Sequence, residues 1–200
     1  RRYGERVVVT CGDMRVLAVP YDTPIIGYGA KTINTLRLWQ AEPLDGFDFP
    51  AFDSGKYLKS TAGREAAERI SSVLYPNDNT KAGKALRLRQ EYFFTSASLQ
   101  DILRRRKAAG KSPLMGDDVA VQLNDTHPVF AIPEYVRLLC AEGVAFEQAF
   151  AEAKKVFAYT NHTVMAEALE KWDVATVKKI VPALLPILNK IERALEDRKS

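Results

Sequence analysis

Two short runs rich in β-branched and aromatic residues, with no charge after Asp118, constrain the fold of this chain most. Residues 118–123 (DVAVQL) and 156–160 (VFAYT) predict buried strands, and the apolar spacing between them predicts helices over 128–139 and 146–155. Two strands joined by a helical crossover are most simply parallel neighbours in one sheet. The sequence therefore predicts an α/β fold with a ligand site at the carboxyl ends of these strands.

The rest of the chain predicts a β-hairpin at the start and mostly helices later. The hairpin is predicted over 6–21, and a strand with both faces partly covered is predicted over 32–40. Helices are predicted over 64–74, 86–107 and 174–197, and Pro182 and Pro186 should kink or shorten the last one. Residues 43–55 predict a connecting segment. The chain does not begin with Met, so we expect an excised part of a longer polypeptide, with 1–200 as a single partial domain and no linker.

Composition narrows the class of protein. The net charge is only +4, and the basic run 104–107 lies at a predicted helix end, where it suits the helix dipole, so charge gives no reason to expect nucleic acid as a partner. Cys11 and Cys140 match no metal spacing and fit a reducing cytoplasm. The sequence has neither an apolar run of about 18 residues nor a secretory signal, so we expect no membrane partner.

Polar corners follow both predicted strands. Residues 124–128 (NDTHP) come after the first, and 160–163 (TNHT) come after the second, at a predicted strand-to-helix corner. The two histidines of the chain, His127 and His162, are therefore expected at the same edge of the sheet. A third stretch of similar polar composition, 75–80 (YPNDNT), is expected on a loop.

Several chemistries fit these corners. Asn124, Asp125, Asn161 and Thr163 are residue types that cap helices. Asp125, His127 and His162 are possible metal ligands, although their spacing matches no metal motif and we expect no metal. A polyhydroxylated ligand is a third possibility, because Asn and neutral His both donate and accept, as sugar hydroxyls do.

Six collinear blocks resemble the glycogen/α-glucan phosphorylase family. They are VPYDTP (19–24), NTLRLW (34–39), ISSVLYPNDN (70–79), LRQEYFFTSASLQDILRR (88–105), VAVQLNDTHPVFAIPE (119–134) and AYTNHTVMAEALEKW (158–172). The resemblance implies an enzyme, usually a homodimer, that releases glucose 1-phosphate from α-1,4-glucans with inorganic phosphate. It also implies a two-domain glycosyltransferase fold of the GT-B type, of which this chain would be part of the Rossmann-like N-terminal domain.

The resemblance assigns roles to five residues, and Asn161 is a sixth candidate for substrate binding. Asn79 matches the family's asparagine on the glucosyl 2-hydroxyl, and Asp78 lines the site on the same gating loop, expected to be mobile over 77–84. His162 matches the histidine that contacts the 6-hydroxyl, with its backbone carbonyl near the anomeric carbon. Asp125 and His127 match residues beside the glucosyl unit, and Asn161 adjoins His162 at the corner.

Other parts of the family's site are expected outside this chain. The cofactor, pyridoxal phosphate, is bound by a lysine that has no counterpart here, so we expect no catalytic or cofactor residue in these 200 residues, and no activity from them alone. Thr80 stands where regulated animal members carry an aromatic residue, which puts their purine-type inhibitor site in doubt. A free-standing carbohydrate-binding or regulatory module is the alternative function.

Overall fold

The computed structural model describes residues 6–44, 46–165 and 169–196, and they divide into two compact units. The first unit extends to Gln90 and the second begins at Glu91. Each is described by itself. Among these described residues, no helix combines the length and the apolar character needed to cross a membrane.

The first unit begins with the predicted hairpin. Strands β1 (Val7–Cys11) and β2 (Met14–Ile25) pair antiparallel, and Gly12 takes the positive φ of 63° that the tight turn requires. Strand β3 (Asn34–Pro43) pairs antiparallel with the other side of β2. The two faces of β3 are covered unequally: Trp39 and Ala41 are buried, whereas Leu36 and Leu38 on the other face are about half exposed.

Two helices complete this unit. Helix α1 (Phe49–Asp53) lies inside the predicted connecting segment, because Pro50 in its first turn and the Asp48 side chain, which accepts from the Ala51 N–H, favour a helix start. Helix α2 (Tyr57–Ser72) packs against β3, and it begins seven residues earlier than predicted. Val73 and Leu74, which belong to the predicted helix 64–74, lie beyond the end of α2 and are exposed.

Helix α3 (Lys81–Ala108) begins in the first unit and continues into the second. It starts five residues earlier than predicted, because Thr80 caps it by accepting from the Gly83 N–H. Phe93, Ala97 and Leu99 are buried as the apolar spacing predicts.

The second unit contains the predicted parallel pair. Strand β4 (Val121–Asn124) and strand β5 (Phe157–Thr160) pair in parallel, with Asn124 opposite Thr160. Helices α4 (Ala131–Ala141) and α5 (Phe146–Val156) form the crossover, as predicted. These elements pack around a core that also takes residues from α3, from the segment before β4 and from 185–196. Its members are Leu99, Met115, Leu123, Ala131, Tyr135, Val136, Leu139, Ala149, Ala153, Val156 and Ile187.

A buried carboxylate joins α3 to α4 within this unit. Glu134 is fully buried, and Arg137 donates to both of its oxygens at 2.7 and 2.8 Å. The hydroxyls of Tyr92 and Ser96 donate to the same carboxylate at 3.1 and 2.7 Å. Each oxygen of the Glu134 carboxylate therefore accepts two hydrogen bonds. A buried charge is tolerated when it is paired and hydrogen-bonded in this way.

The end of the chain is interrupted at proline, as predicted. Helix α6 (Val174–Ile180) is capped by Asp173, a single 3₁₀ turn (Pro182–Leu184) follows, and helix α7 (Leu185–Glu196) then packs against α4. Pro182 has no N–H to donate to the preceding turn, so α6 cannot continue through it. Residue 197 of the predicted helix lies outside the described residues.

Candidate functional site

The carboxyl ends of β4 and β5 bring the two polar corners together. The Asp125 N–H donates to the Thr160 carbonyl at 2.7 Å, which extends the parallel ladder by one bond beyond the last strand pair. Asp125 itself has a φ of 68°, a left-handed conformation that Asp tolerates better than most residues. The chain therefore leaves β4 sharply, and the corner after β4 stays beside the corner after β5.

The Asp125 carboxylate links the corners through its side chain. One oxygen accepts from the Thr126 N–H at 3.0 Å. The Thr163 hydroxyl lies 2.9 and 3.2 Å from the two carboxylate oxygens. A half-buried carboxylate with these donors is held in a fixed orientation at the sheet edge.

His162 lies against the neighbouring residue of the first corner. Its Nε2 is 3.2 Å from Oδ1 of Asn124, the last residue of β4. An amide oxygen accepts, so in the neutral ring this contact favours the tautomer with the proton on Nε2 and leaves Nδ1 as the acceptor nitrogen. Both side chains are exposed at the sheet edge.

Asn161 satisfies its amide within its own turn. Its Oδ1 accepts from the Thr163 N–H at 3.1 Å, and its Nδ2 donates to the Thr163 carbonyl at 2.7 Å. This reciprocal pair bends the chain directly after β5. The predicted helix after His162 is absent from residues 161–165 and 169–173, and residues 166–168 lie outside the described residues.

The capping interpretation of the corners is wrong. Phe130 stands at the start of α4 and offers no side-chain cap, while Asn124, Asp125, Asn161 and Thr163 bond to one another or to nearby backbone. His127 is half-buried in the turn between β4 and α4. The described residues hold no group of three or more His, Cys, Asp or Glu suited to a metal ion.

Strand β5 is more exposed than predicted. Tyr159 is 48% exposed, and Ala158 and Thr160 are exposed as well. The described part of the second unit pairs β5 with β4 alone, so only part of the strand is covered. Uncharged sequence predicted burial, but burial depends on the neighbours that a strand has.

Asp78 and Asn79 belong to the first unit, so their geometry is described separately from the sheet edge. They lie between α2 and α3, where the Asn79 N–H donates to Oδ1 of Asn77 at 2.9 Å. Residues 81–84, predicted as part of a mobile loop, form the first turn of α3 instead. The mobility of residues 77–80 stays a prediction.

Sequence reasoning missed the pairing of Asn124 with His162 and of Thr163 with Asp125. Both pairs join residues 38 positions apart. Their signal was present in the sequence, because each partner adjoins a candidate residue at the end of a predicted strand. The residue types were noticed as caps, but a contact between corners needs the strand register, which the sequence does not give.

The parallel pair and its helical crossover define a mixed α/β protein whose strands end in a polar edge. Residues 1–199 match the family model described as Phosphorylase: Carbohydrate phosphorylase. The chain belongs to the carbohydrate phosphorylase family.

Curated relatives agree with this membership. The chain is similar to the liver form of glycogen phosphorylase from Homo sapiens, with 48% identity over 92% of this chain and 23% of the relative. Glycogen phosphorylase from Saccharomyces cerevisiae is 51% identical over 88% of this chain and 20% of the relative. The brain form of glycogen phosphorylase from Bos taurus is 48% identical over 89% of this chain and 22% of the relative. The chain thus spans less than a quarter of the length of these relatives.

Proposed function

We propose that the chain is part of an α-1,4-glucan phosphorylase and supplies glucosyl-binding residues to its site. The parent enzyme releases glucose 1-phosphate from the non-reducing end of glycogen, starch or maltodextrin, using inorganic phosphate. The observation that carries this proposal is the family match over residues 1–199 together with three relatives that are named glycogen phosphorylases.

The proposed parent is a cytoplasmic homodimer of the GT-B fold. The mixed α/β architecture of the chain, with a parallel pair joined by helices, is compatible with part of a Rossmann-like N-terminal domain. In this proposal residues 1–200 form a single partial domain, and the glucan and phosphate meet in a cleft completed by the rest of the polypeptide.

Pyridoxal phosphate belongs to the proposed parent, where its phosphate group takes part in proton transfer. Every lysine among the described residues is exposed in this part of the chain. The proposal places the lysine that binds the cofactor in the remaining polypeptide.

The residues of this chain act by orienting a neutral sugar. Asn79 binds the glucosyl 2-hydroxyl, with Asp78 beside it. His162 binds the 6-hydroxyl through Nδ1, since Nε2 is engaged by Asn124. Asp125 and His127 line the space beside the glucosyl unit, and Asn161 holds the turn that carries His162.

This arrangement requires no extreme protonation state from the chain. Fixed polar groups contribute by holding the sugar in the reactive geometry and by supporting an oxocarbenium-like transition state. The backbone carbonyl of His162 is proposed to face the anomeric carbon, where its negative end opposes the developing positive charge.

The test uses the full-length protein with pyridoxal phosphate, maltodextrin and phosphate. We expect glucose 1-phosphate release, and His162→Ala should lower kcat/KM by about 10- to 100-fold through loss of one or two hydrogen bonds. Gln148→Ala, at an exposed position on α5, is the control. A full-length protein that binds glucan without releasing glucose 1-phosphate would favour the binding-module alternative.

A further inference from the structure

Gln90 is a buried polar side chain that no role described so far explains. It lies on α3 in the first unit and is only 4% exposed. Its three amide hydrogen bonds all go to the backbone between the end of α2 and the loop that carries Asp78 and Asn79. Nε2 donates to the carbonyls of Ile70 and Val73 at 2.8 and 2.9 Å, and Oε1 accepts from the Tyr75 N–H at 2.9 Å.

The identity of the three partners fixes the orientation of this amide. Two partners are carbonyls and need the NH₂ group, while the third is an N–H and needs the oxygen. A flipped amide would oppose like groups at all three contacts. Ile70 is in the last turn of α2, where carbonyls have no partner within the helix, so Gln90 completes the helix end from another element.

The loop beyond this contact is held in an unusual backbone conformation. Tyr75 has a φ of 55°, which is uncommon for a residue with a bulky side chain. The Arg87 guanidinium, one turn from Gln90 on α3, lies 5.8 Å from the centre of the Tyr75 ring. Conformations of this kind persist where the surroundings determine them, and they are common at ligand sites.

The other end of the loop is fixed to the same helix. A Cβ atom on Gly83 would lie 1.9 Å from the Asn77 carbonyl oxygen, so the absence of a side chain there lets the loop backbone approach α3. Thr80 caps α3 through the Gly83 N–H at 3.0 Å. The loop is therefore fixed at both ends. Gln90 holds Tyr75 at one end, and Thr80 bonds to the first turn of α3 at the other.

We propose that Gln90 is a positioning residue that sets the placement of Asn79 against the substrate, and so contributes to recognition of the glucosyl 2-hydroxyl. This inference rests on the proposed function. Gln90 does not touch the sugar. It acts by fixing the backbone at the end of α2 and at Tyr75, which is four residues before Asn79.

The test is substrate discrimination in the full-length protein. In the direction of glucan synthesis, kcat/KM is measured for glucose 1-phosphate and for 2-deoxyglucose 1-phosphate in the same preparation. The ratio of the two values is independent of the fraction of folded enzyme, so a variant that only lowers stability leaves it unchanged. We expect Gln90→Met to lower the preference for the 2-hydroxyl by about tenfold, and Asn79→Ala to lower it at least as much.

Two further variants complete the design. Gln100→Met is the matched control, because Gln100 lies on the same helix and donates to Ser96 rather than to the loop. Its discrimination ratio should equal that of the wild type. Gln90→Glu is the second variant. It keeps an acceptor for the Tyr75 N–H but sets a carboxylate oxygen against the carbonyls of Ile70 and Val73, so its discrimination ratio should fall at least as far as that of Gln90→Met.

The outcomes separate this inference from the proposed function. A wild-type ratio in both Gln90 variants, with Asn79→Ala impaired, overturns the role of Gln90 and leaves the proposed function intact. A wild-type protein that makes no glucan from glucose 1-phosphate overturns the proposed function, and this inference with it. Gln90→Met combined with Asn79→Ala should be no worse than Asn79→Ala alone, because positioning matters only while the asparagine is present.

Discussion

The Thr163 hydroxyl lies 2.9 Å from Oδ2 and 3.2 Å from Oδ1 of Asp125, and so joins the corner after β5 to the corner after β4. Thr163→Val keeps the shape of the side chain and removes the donor. We expect a loss of about 1 kcal/mol in the free energy of unfolding, since the bond goes to a charged but half-buried group. Denaturant unfolding measures it, and Thr163→Ser, which keeps the hydroxyl, should stay near the wild type. Equal losses in the two variants would contradict the hydrogen bond.

The contact between Asn124 and His162 predicts energetic coupling in the full-length enzyme. Asn124→Leu should lower kcat/KM for phosphorolysis by about tenfold, because the His162 ring loses the group that fixes its orientation. In a His162→Ala background the same change should have little effect. Steady-state kinetics of the four proteins give the coupling, and an effect of Asn124→Leu that is unchanged without His162 would show that Asn124 acts elsewhere.

The buried Glu134–Arg137 pair predicts a large asymmetry between single and double variants. Arg137→Met should reduce the free energy of unfolding by about 3 kcal/mol, since it leaves a fully buried carboxylate without its cation. Adding Glu134→Gln should recover part of the loss. The control is Arg64→Met, which removes an exposed partner of Glu68 and should cost far less. A double variant with a lower free energy of unfolding than Arg137→Met would contradict the buried-charge explanation.

Alkaline pH should destabilise the second unit through Tyr135. Burial raises the pKa of its hydroxyl to about 12, with the charge of Glu152 adding to the effect and the Met115 N–H opposing it. The unfolded chain therefore loses this proton first, at a pKa near 10. The contribution of the Tyr135 hydroxyl to the free energy of unfolding is fully present below pH 10. It falls as the pH rises from 10 to about 12.

Tyr135→Phe should make the loss of stability over this range less steep, as measured by urea unfolding at several pH values. Burial and the neighbouring Glu134 also raise the pKa of Tyr92, so a smaller slope should remain. The control is Tyr159→Phe, at a half-exposed ring. A slope that Tyr135→Phe leaves unaltered would exclude its titration as the cause.

Residues 1–200 expressed alone should neither release glucose 1-phosphate nor form a pyridoxal phosphate adduct. In the proposed enzyme, groups outside these residues complete the site, so any glucan affinity of residues 1–200 should be weak, with Kd near about 1 mM. Exposed apolar side chains such as Ile26, Leu58 and Val164 should promote self-association. Cofactor absorbance, a coupled assay and light scattering test these points. A stoichiometric adduct or turnover above background would contradict the division of the site.

The parallel pair and its edge could be predicted because they depend on local pattern. The runs at 118–123, uncharged after Asp118, and at 156–160, with a helical period between them, leave few alternative topologies. The exposure of Tyr159 could not be predicted, because it depends on which strands lie beside β5. The start of α2 at Tyr57 was missed for a different reason: Lys56 precedes it and makes no side-chain capping bond.

The Gln90 contacts show a further limit of sequence reasoning. Its partners lie 15, 17 and 20 residues away, and a glutamine in a helix has no pattern that distinguishes a solvent-facing amide from one that binds a distant turn. The polar stretch 75–80 was found as a loop because its composition is typical of one. What holds that loop was visible only in three dimensions.

The close approach of the Asn77 carbonyl to Gly83 has a consequence for protein engineering. Libraries that randomise residues 76–83 to alter sugar preference would meet two positions that the backbone restricts. Position 80 needs a side chain that caps α3, as Thr80 does by accepting from the Gly83 N–H. At position 83, even alanine places an atom 1.9 Å from a carbonyl oxygen. Active clones should therefore return glycine at 83 and capping residues at 80 while other positions diversify, and a library that holds Gly83 constant would contain more active members.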